Sequence, residues 1–195
     1  MLLNTNSSQQ KSSSRESFFN LKFVNPQAIV DQLEIDPGMT VADFGCGAGF
    51  FSLPIAQKVG SDGKVYALDI IAAKLESVES QAKTLNLTNI ITQRVNLEVS
   101  EGSKLGTESA DWVIMKDMLF QNKEKDKILA EAKRILKKGG RTLVIEWNKE
   151  DANIGPEKEV RIFKETLVDL ATKSGWTIDK EMEVGNFHYG LILKK

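Results

Sequence analysis

Three glycines in alternation, Gly45, Gly47 and Gly49, follow a short apolar run and the acidic residue Asp43. Glycines this close together let the backbone turn sharply and approach a ligand with no side chain in the way. The amphipathic stretch behind them predicts a helix whose N-terminus offers unpaired N–H groups and a partial positive charge. The pattern predicts a turn that binds a nucleotide-like cofactor. A purely structural strand-to-helix turn is the alternative.

The spacing of the glycines distinguishes between kinds of cofactor. A dinucleotide fingerprint is Gly-x-Gly-x-x-Gly and sets a pyrophosphate on the helix N-terminus, whereas the third glycine here comes one residue early. Asp43 would repel a pyrophosphate, but its carboxylate suits a cationic amino-acid moiety. A P-loop is excluded because no Gly-Lys-Ser/Thr follows the glycines.

The Asp-x-Gly-x-Gly-x-Gly pattern resembles the first motif of class I S-adenosylmethionine (SAM)-dependent methyltransferases. Their cofactor carries an amino group and a sulfonium but no phosphate. The resemblance extends from about residue 25 to residue 195. It looks closest to small-molecule enzymes of the ubiquinone/menaquinone-biosynthesis type, through residues 49–54, 63–69 and 131–140. It implies SAM as the cofactor.

Apolar strands alternate with amphipathic helices after residue 38, which predicts an α/β fold with a parallel sheet covered on both faces. Right-handed crossovers make this a Rossmann-like, doubly wound sheet that binds its ligand at the carboxyl ends of the strands. The turn Gly185-Asn186 joins two final strands that must be antiparallel, as in class I methyltransferases, so seven strands are expected. Predicted strands are 39–44, 65–70, 90–95, 111–115, 142–147, 176–184 and 187–193; the main helices are 51–59, 72–86, 123–136, capped by Gly139-Gly140, and 157–173.

The second and third strands end in residues that resemble the family's nucleoside contacts. Asp69 follows the glycine loop by roughly 20 residues, and a carboxylate there can accept two hydrogen bonds from a ribose diol. Its alternative role is a helix N-cap. The resemblance implies that Ile70 packs on the adenine, that Asn96 accepts from the adenine amino group, and that the Leu97 N–H donates to the ring. Family members often have Asp where Asn96 stands, and a plain strand-end turn is the alternative role of Asn96.

The fourth strand ends in Lys116 and Asp117, a segment that in the family passes beneath the methionine portion of the cofactor and faces the substrate. These two residues are either functional or a solvated pair. The predicted cofactor-binding set is Asp43, Gly45, Cys46, Gly47, Gly49, Asp69, Ile70, Asn96, Leu97 and Lys116. No metal site is predicted.

Three side chains are candidates for a general base, although methyl transfer requires one only if the acceptor must lose a proton. They are Asp117, Glu146 and the single histidine, His188, which alternatively has a structural role beside Tyr189.

Methylases of exocyclic base amines commonly carry Asn/Asp-Pro-Pro-Tyr/Phe after the fourth strand. Its absence here disfavours adenine or cytosine amino-methylation. Glu146 and Trp147 are candidates for substrate contact. The aromatic run Phe18, Phe19 and Phe23 either packs an N-terminal helix or caps an apolar substrate.

Composition narrows the class of protein further. The 195 residues have 41% hydrophobic content, which suits one domain with its own core, and 26 Lys plus Arg balance 27 Asp plus Glu. Nucleic acid is therefore an unlikely partner. One cysteine forbids an internal disulfide, and no apolar run approaches the length of a membrane span. We expect a disordered tail over residues 1–17, a single domain over residues 18–195, and a cytoplasmic protein that does not bind membranes.

The sequence thus predicts a SAM-dependent methyltransferase that acts on a small molecule. A non-catalytic SAM-binding regulatory module is the main alternative. An RNA or protein methyltransferase and an NAD-dependent oxidoreductase are further alternatives. The pattern specifies neither the acceptor atom nor the oligomeric state.

Overall fold

A computed structural model describes residues 22–149 and 154–195, and their seven strands form one sheet. The predicted tail over residues 1–17, together with Phe18 and Phe19, lies outside the described residues. The strands are β1 Thr40–Phe44, β2 Lys64–Asp69, β3 Ile90–Arg94, β4 Ala110–Lys116, β5 Leu136–Trp147, β6 Thr177–Met182 and β7 His188–Lys194. Their order in the sheet is β3-β2-β1-β4-β5-β7-β6.

Five helices connect or flank these strands within the described residues. They are α1 Pro26–Gln32, α2 Ser52–Val59, α3 Ala72–Thr84, α4 Lys125–Ile135 and α5 Lys164–Lys173, with a short 3-10 turn at Lys158–Val160. Pro26 begins α1, where a missing N–H costs nothing, and the Asn25 side chain accepts from the Ala28 N–H. No described helix has the length and apolarity that a membrane crossing requires.

The predicted architecture is confirmed. β1 to β5 pair in parallel, whereas β7 is antiparallel to both β5 and β6. The central strands are apolar on both sides because each face is covered. On β4, Trp112 and Ile114 pack against one layer of side chains, and Val113 and Met115 pack against the opposite layer.

Two of the predicted boundaries are wrong. Gly139-Gly140 does not cap α4, because that helix ends at Ile135 and β5 begins at the next residue. Instead, glycine lets β5 pass close to β4, since a Cβ at Gly140 would lie 3.1 Å from the Asp111 carbonyl oxygen. The predicted helix 157–173 begins only at Lys164.

The late start of α5 follows from the side chain of Arg161. Its guanidinium donates to the carbonyl oxygens of Pro156, Asn148 and Ile154, at 2.8–2.9 Å. Arg161 itself is extended, with φ −67° and ψ 141°, which ends the 3-10 turn. The loop is therefore fixed by a buried cation rather than by helical hydrogen bonds.

The order of the strands positions a ligand site. The chain proceeds from β1 outward to β2 and β3, and then returns to place β4 on the other side of β1. Helices leave neighbouring strands on opposite sides at such a point, which opens a crevice at the carboxyl ends of the strands. The glycine loop leaves β1 directly into this crevice.

A buried ionic network holds the loop that follows β3. Glu131 on α4 accepts from the Ser103 N–H and hydroxyl, and from the Arg134 Nε and Nη2 at 2.8 and 2.7 Å. Burial would raise the pKa of Glu131, but the hydrogen bonds from Arg134 and Ser103 outweigh it and lower that pKa. This carboxylate fastens one edge of the crevice to the helix layer.

Replacing the carboxylate of Glu131 should loosen that edge. We expect Glu131→Gln to lower the free energy of unfolding by about 2 kcal/mol, because the charge-assisted bonds weaken and the Arg134 charge loses its partner. Urea denaturation with linear extrapolation measures the change. Glu124→Gln, at the residue that precedes the same helix, is the control, since the Glu124–Lys127 pair is exposed to solvent. Equal effects of the two substitutions would contradict a special role for Glu131.

Candidate functional site

The glycine loop is built on hydrogen bonds to the neighbouring strand. The N–H groups of Gly45 and Cys46 both donate to the Leu68 carbonyl oxygen of β2, at 2.8 and 3.0 Å. All three glycines have positive φ, at +68°, +53° and +88° for Gly45, Gly47 and Gly49. Residues with a side chain rarely adopt these angles, so the loop conformation requires glycine.

Space around the loop fits a ligand that approaches the backbone. A Cβ at Gly47 would meet nothing within 4 Å, and Gly47 lines both cavities of the crevice. A side chain there would project into the space that a ligand needs. A Cβ at Gly45 would instead lie 3.3 Å from the Met118 Cβ, so this glycine lets the β1 and β4 ends approach each other.

Asp69 joins the glycine loop to the end of β2. Its Oδ2 accepts from the Gly47 N–H at 3.0 Å, and its Oδ1 accepts from the Ile71 N–H at 2.9 Å. Asp69 is not the N-cap of α3, because that position belongs to Ile71 and has no side-chain cap. Both carboxylate oxygens keep a further lone pair for a ligand hydroxyl.

A cavity of about 420 Å³ extends from Asp69 along the ends of β2, β3 and β4. Ile70 presents an exposed apolar surface to it, and Leu97 forms a buried wall. Asn96 accepts from the Glu98 N–H at 2.9 Å through its Oδ1, which holds the turn after β3. This cavity, here called the nucleoside cavity, brings together the predicted residues Asp69, Ile70, Asn96, Leu97 and Lys116.

A second cavity of about 330 Å³ opens on the other side of the glycine loop. The two cavities share only Gly45, Gly47 and Lys116, so they meet at the ends of β1 and β4. We call the second the acceptor cavity. Its lining is mainly apolar and aromatic: Phe23, Val24, Cys46, Ala48, Phe50, Phe51 and Trp147, together with Asp43 and His188.

The chain segment before α1 forms one wall of the acceptor cavity. The Asn186 N–H donates to the Lys22 carbonyl oxygen at 2.8 Å, and the Asn186 Oδ1 accepts from the Lys22 N–H at 2.5 Å. The ring of Phe23 lies 5.3 Å from that of Phe187. The turn between β6 and β7 therefore holds Phe23 at the cavity.

Asp43 and Cys46 differ in what burial does to their chemistry. Burial raises the pKa of Asp43 to about 6, although its 2.6 Å hydrogen bond from the Ser52 hydroxyl opposes this shift. A cationic ligand group beside Asp43 would favour its ionised form. Burial, reinforced by the charges of Asp43 and Asp69, raises the pKa of the Cys46 thiol. Cys46 is therefore suited to be a small wall residue rather than a nucleophile.

Two of the candidate bases, Asp117 and His188, lie next to each other, and His188 lines the acceptor cavity. The His188 Nε2 is 3.1 Å from the Asp117 Oδ1, and the Lys116 Nζ donates to the Asp117 Oδ2. The ring of Trp147 packs against that of His188, with centroids 4.0 Å apart and ring planes tilted by 39°. Through Lys116 and His188, this cluster contributes polar groups to the lining of a mainly apolar cavity.

Glu146, the third candidate, lines neither the acceptor cavity nor the nucleoside cavity. It is fully buried, and its Oε1 accepts from the Leu119 N–H at 2.7 Å. Burial, with a smaller contribution from the charge of Asp117, raises the pKa of Glu146 to about 8. Its position favours a structural role, which is to hold the segment after β4.

Sequence reasoning did not select Phe50 as a site residue. Phe50 is 69% exposed, yet it follows the third glycine and lines the acceptor cavity. An available signal was a large apolar residue placed before α2 and outside the helix face that packs on the sheet. Among the described residues, no group of three His, Cys, Asp or Glu could hold a metal ion.

Residues 35–189 match the family described as "Methyltransferase domain", so the chain belongs to this family. The fold agrees with a solved SAM-dependent methyltransferase from Aquifex aeolicus, with a TM-score of 0.81, 25% identity, and coverage of 98% of this chain and 99% of that one. The predicted family, the fold and SAM as cosubstrate are thereby confirmed.

Curated relatives with different acceptors resemble this chain. A ubiquinone/menaquinone biosynthesis C-methyltransferase from Haemophilus ducreyi is 31% identical over 62% of this chain and 46% of its own length. A ribosomal RNA small subunit methyltransferase G from Flavobacterium johnsoniae is 29% identical over 64% of this chain and 58% of its own. The chain spans about half the length of these relatives.

The raised pKa of Glu146 predicts how stability depends on pH. The folded protein holds a proton that the unfolded chain has lost, so this stabilisation is complete below about pH 4.5 and is lost as pH rises through about 8. We expect the free energy of unfolding to fall by about 2 kcal/mol between pH 6 and pH 8, and to fall less in Glu146→Gln. Asp43 contributes mainly below pH 6.

Denaturation at pH 6 and pH 8 measures this difference. Glu76→Gln, an exposed substitution on α3, is the control and should keep the wild-type decline. The same decline in Glu146→Gln and in the wild type would show that Glu146 is ionised throughout this range.

Proposed function

We propose that this protein transfers the methyl group of SAM to a small apolar acceptor. The observation that carries the proposal is the contact between two unlike cavities at Gly45, Gly47 and Lys116. The nucleoside cavity is bordered by side chains that can accept hydrogen bonds from a nucleoside, and the acceptor cavity is apolar and aromatic. A group bound in the first cavity can reach the second only at this junction.

The residues fit the two ends of the cosubstrate. Asp69 can accept from the ribose hydroxyls while the open space at Gly47 admits the ligand close to the backbone. Ile70 and Leu97 offer apolar surface for the adenine, and Asn96 borders the same cavity. Asp43, on the other side of the loop, suits the amino group.

The protein's contribution to methyl transfer is positioning and exclusion of water. The bound cosubstrate supplies an activated methyl group on a positively charged sulfur. The aromatic walls of the acceptor cavity orient the acceptor against it, and such alignment can contribute about 7–11 kcal/mol. An apolar surround favours a reaction in which charge is lost.

The similarity to an RNA methyltransferase makes RNA the second class of acceptor to consider. A small, aromatic cavity favours a small molecule, because RNA recognition depends on a basic surface and the chain has net charge −1. The quinone-biosynthesis relative supports the same choice. Turnover tests whether the protein is a catalyst or a SAM-binding module.

Turnover is measured as S-adenosylhomocysteine formed from SAM with separate pools of naphthols and quinols, of thiols, and of RNA transcripts. We expect product with one of the small-molecule pools and none with RNA. Product with RNA alone would overturn the choice of acceptor. Binding of SAM without product from any pool would support the regulatory module.

Asp69 allows the nucleoside cavity to be tested by itself. We expect Asp69→Asn to weaken SAM binding about 10- to 100-fold, because two charge-assisted hydrogen bonds to the ribose weaken. Isothermal titration calorimetry measures the dissociation constant. The exposed Asp62→Asn is the matched control. A stabilising shift of the melting temperature with NADH and none with SAM would overturn the proposed function.

A further inference from the structure

Among the residues that the structure describes, Lys116 is the only charged side chain shared by the two cavities. Lys116 therefore borders the place where the two cavities meet and where the methyl group must pass. Asp43, the other charged residue of the acceptor cavity, already accepts from the Ser52 hydroxyl. Lys116 is therefore the cation that an acceptor meets in a mainly aromatic cavity.

Asp117 holds Lys116 from behind and lines neither of the two cavities. Its Oδ2 accepts from the Lys116 Nζ, and the His188 Nε2 lies 3.1 Å from its Oδ1 and 3.4 Å from its Oδ2. The His188 Nδ1 is buried with no partner among the described residues. A buried unpaired N–H is costly, so the geometry favours the tautomer in which Nε2 carries the hydrogen and donates to Asp117.

The cluster is also fixed by its backbone and by packing. Asp117 has φ +52°, a left-handed conformation that residues other than glycine rarely adopt and that accumulates at functional sites. The Trp147 ring packs against His188, and a Cβ at Gly155 would lie 2.6 Å from that indole, so the loop backbone also lies close to Trp147. Lys116 is thus held by a carboxylate that has little freedom to move.

We propose that Lys116 binds the acceptor's oxygen as an oxyanion, and that the acceptor is an aromatic hydroxyl compound. This inference rests on the proposed function and adds the chemical class of its substrate. A cation among apolar walls interacts with an anion more strongly than it does in water, and it lowers the pKa of a neighbouring hydroxyl. The aromatic walls select a flat ring to carry that hydroxyl.

The atoms and charges of the step balance. The hydroxyl releases its proton to solvent as its oxygen pairs with Lys116. A lone pair of that oxygen then forms the bond to the methyl carbon, while the sulfur–methyl bond breaks and its electron pair stays on sulfur. An anion and a sulfonium become a neutral ether and a neutral thioether.

Asp117 is a positioning residue in this arrangement. An uncompensated ammonium would repel the sulfonium that the adjoining cavity must hold. The carboxylate of Asp117 offsets part of that repulsion and leaves the remaining Lys116 N–H groups free to donate to the acceptor. His188 and Trp147 keep the carboxylate in place.

A coloured phenol tests the charge state of the bound acceptor directly. 4-Nitrophenol absorbs at longer wavelength when ionised, so its pKa on the protein is read by titration with S-adenosylhomocysteine present. We expect this pKa to fall by about one unit on the wild type, to stay unshifted with Lys116→Met, and to fall again with Lys116→Arg. We also expect Lys116→Met to lower the rate of nitrophenol methylation at least 10-fold.

The controls separate this inference from the proposed function. Lys64→Met removes an exposed cation of β2 and should behave as the wild type. If SAM binding and turnover of another pool persist while the wild type neither shifts nor methylates nitrophenol, the acceptor class is wrong and the proposed function stands. If Lys116→Met weakens SAM binding 10-fold and leaves the nitrophenol pKa shift intact, Lys116 binds the cosubstrate instead.

The role of Asp117 has a readout that loss of fold would not reproduce. We expect Asp117→Asn to weaken the binding of SAM, which is positively charged at sulfur, about 10-fold more than that of neutral S-adenosylhomocysteine. Titration calorimetry with both ligands gives the ratio. Equal weakening of the binding of both ligands would overturn the positioning role.

His188 is the single histidine, so the ¹⁵N resonances of the tag-free protein report its tautomer without assignment.

Discussion

The site depends on the attachment of the end of β1 to the end of β2. Gly45 and Cys46 donate to the Leu68 carbonyl oxygen, and Gly47 donates to the Asp69 carboxylate one residue later. These bonds keep the glycine loop open toward the crevice and fix Asp69 at its border. The remaining parts of the site are arranged around this attachment of β1 to β2. They include the segment at the end of β4, which packs close to Gly45.

The cofactor side could be predicted from the sequence because its signals are local. A glycine loop, an acidic residue at the end of the next strand and alternating apolar strands each follow from a few neighbouring residues. The acceptor side joins Phe23, Phe50, Lys116, Trp147 and His188 from distant segments, and no spacing rule connects them. The late start of α5 was unpredictable for the same reason, since Arg161 forms its hydrogen bonds with a loop rather than with its own helix.

The charged groups of this site have structural or ligand-binding roles according to their surroundings. Glu146 is buried away from both cavities and holds the segment after β4. Lys116 borders both cavities and pairs with Asp117, and both side chains remain partly exposed. Asp43 lies between these cases, since it is buried yet borders the acceptor cavity. Position relative to the cavities, rather than residue type, therefore separates the structural carboxylates from those available to ligands.

The hydrogen bonds between Lys22 and Asn186 have a consequence for how acceptor preference can change. They bring a segment from before the sheet and a turn from its last hairpin to the same wall, and neither belongs to the glycine loop or to Asp69. Substitutions in this wall can reshape the space for the acceptor while the nucleoside contacts stay intact. The same fold can thus change its methyl acceptor through substitutions in this outer wall while the glycine loop and Asp69 stay unchanged.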